Sequence, residues 1–304
     1  MEREIEAECD ALKKALKGKG DVLINLVLSK SKRERAEIRS AYKSCFGKDL
    51  LDDINSALRG NFRRTVIDLF RTPQERDVAY LYKAMKGAGT DDDTVIEILC
   101  SRSNIELEKI KEEYQKTYNE DLEKRVTSET SGALRKILVS LLQCKRSENS
   151  MPNDSECKQI AEELYKAGEG KLGTDESVFN KVFALSSPPE LFSINTFYSQ
   201  LSTKTLKEAV DKEYSGNMKL ALNTILEATI SPSNYFARRV NKAVKGLGTN
   251  DKMLIRNICA REEIDMKEIR ESYKNLFGKD MVADIKDDTS GDYQKILMNI
   301  ASRD

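Results

Sequence analysis

A block of about 70 residues recurs along this chain, and recurrence at that period constrains the fold more than any other feature. Lys86 to Leu142 begins KGAGTDDDTVIEILCSRSN and ends SETSGALRKILVSLL, whereas Lys245 to Ile300 begins KGLGTNDKMLIRNICAREE and ends DDTSGDYQKILMNI. The offset between them is constant, since Gly87 to Gly246 and Glu129 to Asp288 both differ by 159. A third copy runs from KLGTDESVFNKVFALSS at Lys171 to KEYSGNMKLALNTIL ending at Leu226. The first copy is marked by FGKDLLDDI at Phe46 to Ile54, which parallels FGKDMVADI at Phe277 to Ile285, and it opens with ALKGKGD at Ala15 to Asp21. The chain is therefore read as four repeats, 1–72, 73–143, 158–229 and 230–304, with 144–157 as a linker.

Within one repeat the apolar spacing is helical. In the second copy Val78, Leu81, Tyr82 and Met85 form one stripe, and Val95, Ile98 and Leu99 a second. Ile110 and Tyr114 mark a third helix, Leu122 and Val126 a fourth, and Leu134, Ile137, Leu138, Leu141 and Leu142 a fifth. Five short helices bundled around a Leu/Ile core follow for each repeat, so the fold class is all-α. Five prolines and fifteen glycines in 304 residues leave that propensity little opposed. The stretch Gln143 to Lys158, QCKRSENSMPNDSECK, is polar, lacks periodicity and contains Pro152, which predicts a divide between two pairs of repeats.

Charge and residue inventory narrow the function. Lys plus Arg and Asp plus Glu each number 51, so no net field draws the whole molecule to a polyanion, which disfavours nucleic acid as a partner. No apolar run reaches the roughly 18 residues of a membrane-spanning helix, and MEREIEAECD is too charged for a signal peptide; a cytoplasmic protein is expected. The six cysteines are scattered singly, without metal-site or redox spacing. There is no histidine, which removes the usual general base, the Ser-His-Asp triad and imidazole metal ligands. No nucleophile-base arrangement, cofactor fingerprint or Walker loop appears, so the chain is not expected to be an enzyme.

The KGxGT stretch has a structural explanation and an incomplete one. Its glycines can end one helix while Thr90 caps the next and Asp93 closes a capping box. That reading does not account for a distant acid. From the second loop glycine to the acid of an acid-x-Ser-Gly tail the separation is 40 in three copies: Gly89 to Glu129, Gly173 to Glu213 and Gly248 to Asp288. A cap needs no such partner, but calcium does. It takes six to eight oxygens at roughly 2.3 to 2.6 Å, and a glycine-rich turn aims several carbonyls at one point while one carboxylate completes the protein's share.

These residues together resemble the annexin family over nearly the whole chain. The resemblance implies four repeats of five helices arranged as a slightly curved disc, with calcium loops on one convex face. Carried over residue by residue, it implies Ca2+ ligands from the carbonyls of Met85, Gly87 and Gly89 with the carboxylate of Glu129. In the fourth repeat the equivalents are Val244, Gly246 and Gly248 with Asp288. The longer third loop, AGEGKLGTD, offers Gly168, Lys171 and Gly173 with Glu213, and Glu169 within it is a residue able to alter the carbonyl geometry. The first repeat departs: KGKGD lacks the threonine, the helix after it is about three residues short, and Ala57 sits where the acid belongs. It is expected to bind no calcium in this way.

One carboxylate per site implies weak intrinsic calcium affinity and vacant coordination positions, which lipid phosphate can fill. The expected function is calcium-dependent binding to anionic phospholipid membranes, with phosphatidylserine-type headgroups, at the inner face of a cellular membrane. Lys86 and Lys245 flank their loops and are candidates for headgroup contact. The second hypothesis is an annexin-like structural scaffold of the submembrane cytoskeleton, with cytoskeletal or self-association partners and little calcium regulation. The first helix is expected to start near Arg3 to Glu6, leaving almost no head for other partners.

Overall fold

A computed structural model describes the backbone of residues 2–18 and 20–303 and the side chains of that range from residue 4 onward. Lys19, inside the KGKGD stretch, lies outside the described residues. Twenty helices and no strands are found among them. The first repeat holds α1 (Glu2–Ala15), α2 (Gly20–Leu28), α3 (Lys32–Phe46), α4 (Leu50–Ala57) and α5 (Gly60–Phe70). The second holds α6 (Pro73–Met85), α7 (Asp92–Ser101), α8 (Asn104–Tyr118), α9 (Leu122–Glu129) and α10 (Gly132–Leu142). The third holds α11 (Asp154–Ala167), α12 (Glu176–Leu185), α13 (Pro188–Leu201), α14 (Leu206–Glu213) and α15 (Gly216–Ile230). The fourth holds α16 (Pro232–Val244), α17 (Asp251–Arg261), α18 (Met266–Phe277), α19 (Met281–Asp288) and α20 (Gly291–Ala301).

Local chemistry sets these ends. Ser31, Ser103 and Ser187 start the third helix of their repeats through full capping boxes with Glu34, Glu106 and Glu190, satisfying otherwise orphaned N–H groups at both positions. The same helices carry a tyrosine with no exposed surface, Tyr42, Tyr114, Tyr198 and, in α18, Tyr273, so the core position is identical in all four repeats. Every fourth helix has eight residues, and its last one is Ala57, Glu129, Glu213 or Asp288. The acid of the tail is thus held at a helix C-terminus.

The chain divides into two compact units, Met1–Arg76 with Phe236–Asp304, and Asp77–Tyr235. Repeats one and four share a unit, and repeats two and three share the other. This corrects the expectation that the polar stretch after α10 separates two pairs of repeats. That stretch lies inside the second unit because its polar groups are stapled to neighbouring helices: the Ser147 N–H donates to Leu185 O at 2.7 Å, and Asn104 Nδ2 donates to Arg146 O at 2.8 Å.

In the first unit α5 packs on α17 and α20, and α2 packs on α20. A buried ion pair crosses its interior, where Arg35 Nη2 meets Glu262 Oε2 at 2.5 Å and Arg35 Nε donates to Leu69 O at 3.0 Å. Such a pair is tolerable in a core only because its remaining polar atoms are also hydrogen-bonded. In the second unit α7 packs on α15 and α10 on α12, which makes one continuous apolar core of the second and third repeats. No helix among the described residues is long and apolar enough to cross a membrane.

Candidate metal centres

The three KGxGT-type loops share one backbone closure. The N–H of Asp91 donates to Ala84 O at 2.9 Å, that of Asp175 to Ala167 O at 2.7 Å, and that of Asn250 to Ala243 O at 2.8 Å. Six residues (86–91), eight (168–175) and six (245–250) therefore bulge between helices whose ends are pinned together. The turn requires a left-handed backbone at Gly87 and Gly89, with φ of 104° and 86°, where a side chain would find space but not a comfortable conformation. Gly246 and Gly248 repeat this with 119° and 85°. The carbonyls of Gly87, Gly89, Lys171, Gly173, Gly246 and Gly248 accept no backbone N–H among the described residues.

Thr90 does not cap α7, contrary to the local reading of the sequence. Asp91 is the N-cap, accepting the Thr94 N–H at 3.1 Å, and Asp175 and Asn250 take the same role in α12 and α17. The threonines turn instead toward the distant acids. Thr90 Oγ1 donates to Glu129 Oε2 at 2.7 Å, Thr174 Oγ1 to Glu213 Oε2 at 2.5 Å, and Thr249 Oγ1 to Asp288 Oδ2 at 3.2 Å and to Asp288 O at 2.9 Å. Each loop is thereby tied to the carboxylate 39 residues further on.

The individual loops differ. In the fourth repeat Val244, Lys245 and Gly246 line a cleft of about 420 Å³ with Asp284, Asp287 and Asp288. In the third repeat Gly168 has φ −117°, and a Cβ there would meet the Phe179 ring at 3.3 Å and Glu213 Cγ at 3.6 Å. Glycine is needed at 168 for space, and the position lies against the acid. The Gly168 carbonyl accepts the Lys171 N–H at 3.1 Å. Glu169 is held by Tyr198 Oη at 3.1 Å, Ser202 Oγ at 2.6 Å and Lys204 Nζ at 2.5 Å. Burial raises the Glu169 pKa, but these three donors outweigh it and leave the carboxyl below its ordinary range.

In the second repeat the Met85 carbonyl accepts a hydrogen bond from Arg125 Nη2, and the same nitrogen lies 3.0 Å from Glu129 Oε1. Two of the expected ligands are therefore bridged by a guanidinium. Lys86 rests over the Tyr82 ring, with Nζ 5.3 Å from its centroid. Sequence reasoning did not single out Arg125, nor Leu172 and Leu247. Both leucines stand fully in solvent at the loop tips, at 104% and 109% relative exposure. Their signal is the apolar residue placed between a lysine or glycine and the last loop glycine.

The first repeat departs from this pattern. Only four residues (16–19) separate α1 from α2, and α2 has nine residues against ten, ten and eleven in its counterparts, so most of the shortening falls in the loop. A Cβ at Gly20 would lie 1.9 Å from Asp292 Oδ2, which explains that glycine by the packing of α2 on α20. Ala57 ends α4 where the other repeats end on an acid.

The donor set fits a hard cation. No group of three or more His, Cys, Asp and Glu side chains able to hold a metal occurs among the described residues, so a carboxylate cage or a soft-metal site is not offered. What each loop offers is carbonyl oxygen plus one carboxylate, the chemistry calcium accepts.

Comparison with known proteins finds similarity along almost the whole chain. The sequence profile of annexins matches residues 7–69, 76–141, 159–225 and 235–300. The chain is 41% identical over 300 residues to annexin A4 of Mus musculus, covering 98% of this chain and 94% of that protein. It is 39% identical over 299 residues to annexin A7 of Homo sapiens, covering 97% of this chain and 61% of the longer relative, so it spans less than two thirds of that protein's length. Among solved structures, annexin III superposes with a TM-score of 0.95 at 34% identity, over 99% of this chain and 94% of that one. A calcium-bound annexin (Sm)1 superposes with a TM-score of 0.87 at 28% identity, over 98% and 90%. Four matched repeats and relatives of this similarity along almost its full length establish that the chain belongs to the annexin family, known for calcium-dependent phospholipid binding.

Proposed function

We propose that the loops of the second, third and fourth repeats bind calcium, and that the bound ions bridge the protein to anionic phospholipid at a cytoplasmic membrane surface. The ligands are the carbonyls of Met85, Gly87 and Gly89 with Glu129, those of Gly168, Lys171 and Gly173 with Glu213, and those of Val244, Gly246 and Gly248 with Asp288. The observation that carries this reading is the threonine-to-acid hydrogen bond. It recurs in these three repeats across 39 residues and has no counterpart in the first repeat, where Ala57 replaces the acid.

Physical chemistry supports the rest. A site with one carboxylate leaves calcium coordination to be completed from outside, and a phosphate oxygen completes it, so each ligand tightens the binding of the other by the same factor. The chain carries no net charge, and the metal supplies positive charge at the loops alone. Leu172 and Leu247 project from the same loops and add apolar contact with the interfacial region of a bilayer. Three weak sites on one chain reinforce one another through effective concentration. The calcium-bound state of annexin (Sm)1 is consistent with this.

Vesicle co-sedimentation tests it. Phosphatidylserine vesicles are expected to carry the protein down in calcium and to release it in chelator, while phosphatidylcholine vesicles leave it in solution. The combined variant Glu129→Gln, Glu213→Gln and Asp288→Asn is expected to lose this binding and keep its helical circular dichroism. Wild-type binding that ignores calcium would refute the proposal.

A further inference from the structure

The second repeat differs from the others at one position that touches its loop. The buried tyrosines Tyr42 and Tyr273 donate to Asp53 Oδ2 at 2.7 Å and Asp284 Oδ2 at 2.6 Å. Both aspartates stand eleven residues after their tyrosine and four before the end of the fourth helix. Counted from Tyr114, the same position is Arg125, and counted from Tyr198 it is Ala209. Charge is thus reversed in the second repeat and absent in the third. Tyr114 turns instead to Glu120, with Oη 3.5 Å from Oε2.

The reversed charge reaches the loop. Arg125 Nη2 donates to the Met85 carbonyl and lies 3.0 Å from Glu129 Oε1, so it occupies the polar ground between a loop oxygen and the distant acid. On its other side Arg125 Nη1 is 3.6 Å from Glu120 Oε1, a carboxylate with 38% of its side chain exposed. The buried Nε of Arg125 has no hydrogen-bond partner, which marks a guanidinium not fully committed to its present seat. A divalent ion and a guanidinium repel and require the same oxygens, so they cannot share Met85 O and Glu129.

We propose that Arg125 is a built-in competitor of calcium in the second repeat: it neutralises Glu129 when calcium is scarce and withdraws to Glu120 when the ion enters. This rests on the calcium reading of the loop given above. Its consequence is an ordering of sites along one chain, in which the second loop fills at higher calcium than the fourth, where Asp284 stands in place of the arginine. The molecule then responds to calcium over a wider range than three equivalent sites would allow.

Calcium titration by calorimetry, without lipid, separates the possibilities. In the full chain carrying Glu213→Gln and Asp288→Asn the second loop is the remaining site, and weak binding of one ion is expected. Adding Arg125→Ala is expected to lower the half-saturating calcium about tenfold, the effect of removing one unit charge at a partly exposed site. Adding Glu120→Gln in place of it is expected to raise half-saturation, because the withdrawn guanidinium loses its second carboxylate. Arg125→Gln keeps a donor toward the Met85 carbonyl without the charge, and should act like Arg125→Ala; it decides the matter if the alanine variant loses helical circular dichroism. Unchanged or weaker affinity in the folded arginine variants would overturn the proposal, since Arg125 would then be positioning the carbonyl. Absence of binding in the double variant, with and without Arg125, would instead refute calcium at this loop and the competition with it.

Discussion

Thr249 joins a loop to an acid that the chain reaches only 39 residues later, and its hydroxyl donates to both Asp288 Oδ2 and Asp288 O. Replacing it with valine keeps the shape and removes the donor. In a chain with Glu129→Gln and Glu213→Gln, Thr249→Val is expected to weaken calcium binding about tenfold or more by calorimetry, from the roughly 1.5 kcal/mol or more carried by one hydrogen bond to a charged group. An unchanged affinity would show that the hydroxyl does not hold the carboxylate. The glycines, the acids and their spacing of 40 were legible in the sequence, but the partner of Thr90 was not. A threonine before DDD is a good N-cap on local grounds, and Asp91 is another. Which of the two takes the helix end depends on Glu129 arriving beside Thr90, which no local pattern records.

At the scale of elements, the helices follow from apolar period and capping, and these are properties of short stretches. The loops between them are less legible. The deficit in the first repeat was read as a shortened helix, whereas most of it is lost from the loop between α1 and α2, because α2 starts at Gly20 to pack on α20. Exposure of Leu172 and Leu247 was also hidden, since a leucine next to a loop glycine reads equally well as a core contact. Their removal tests what the loop tips do. The double variant Leu172→Ser and Leu247→Ser is expected to bind calcium normally in solution and to need at least tenfold more vesicle lipid for half-binding, given about 1.5 to 3 kcal/mol per buried leucine. Equal lipid requirement would confine membrane contact to the metal.

For the whole molecule, calcium binding and stability are linked, because an ion held by loops and distant acids binds the folded chain and not the unfolded one. Calorimetric scans are expected to show Tm rising with calcium in the wild type, with about 2.7 kcal/mol from each site filled at one hundred times its Kd. The variant Glu129→Gln, Glu213→Gln and Asp288→Asn is expected to show no rise, and a rise of equal size would place the stabilising ion elsewhere. The sequence by itself determined the four repeats, their helical class, the three glycine-and-acid pairs and the damaged first copy, because each of these is a period or a spacing along the chain. Only the tertiary structure decided which repeats share a core, what Thr90 bonds to and that Arg125 enters the second loop. The physical reason is distance: α5 meets α17, and Arg35 meets Glu262, through surfaces and charges whose residues lie more than 180 positions apart, and no local pattern encodes that meeting.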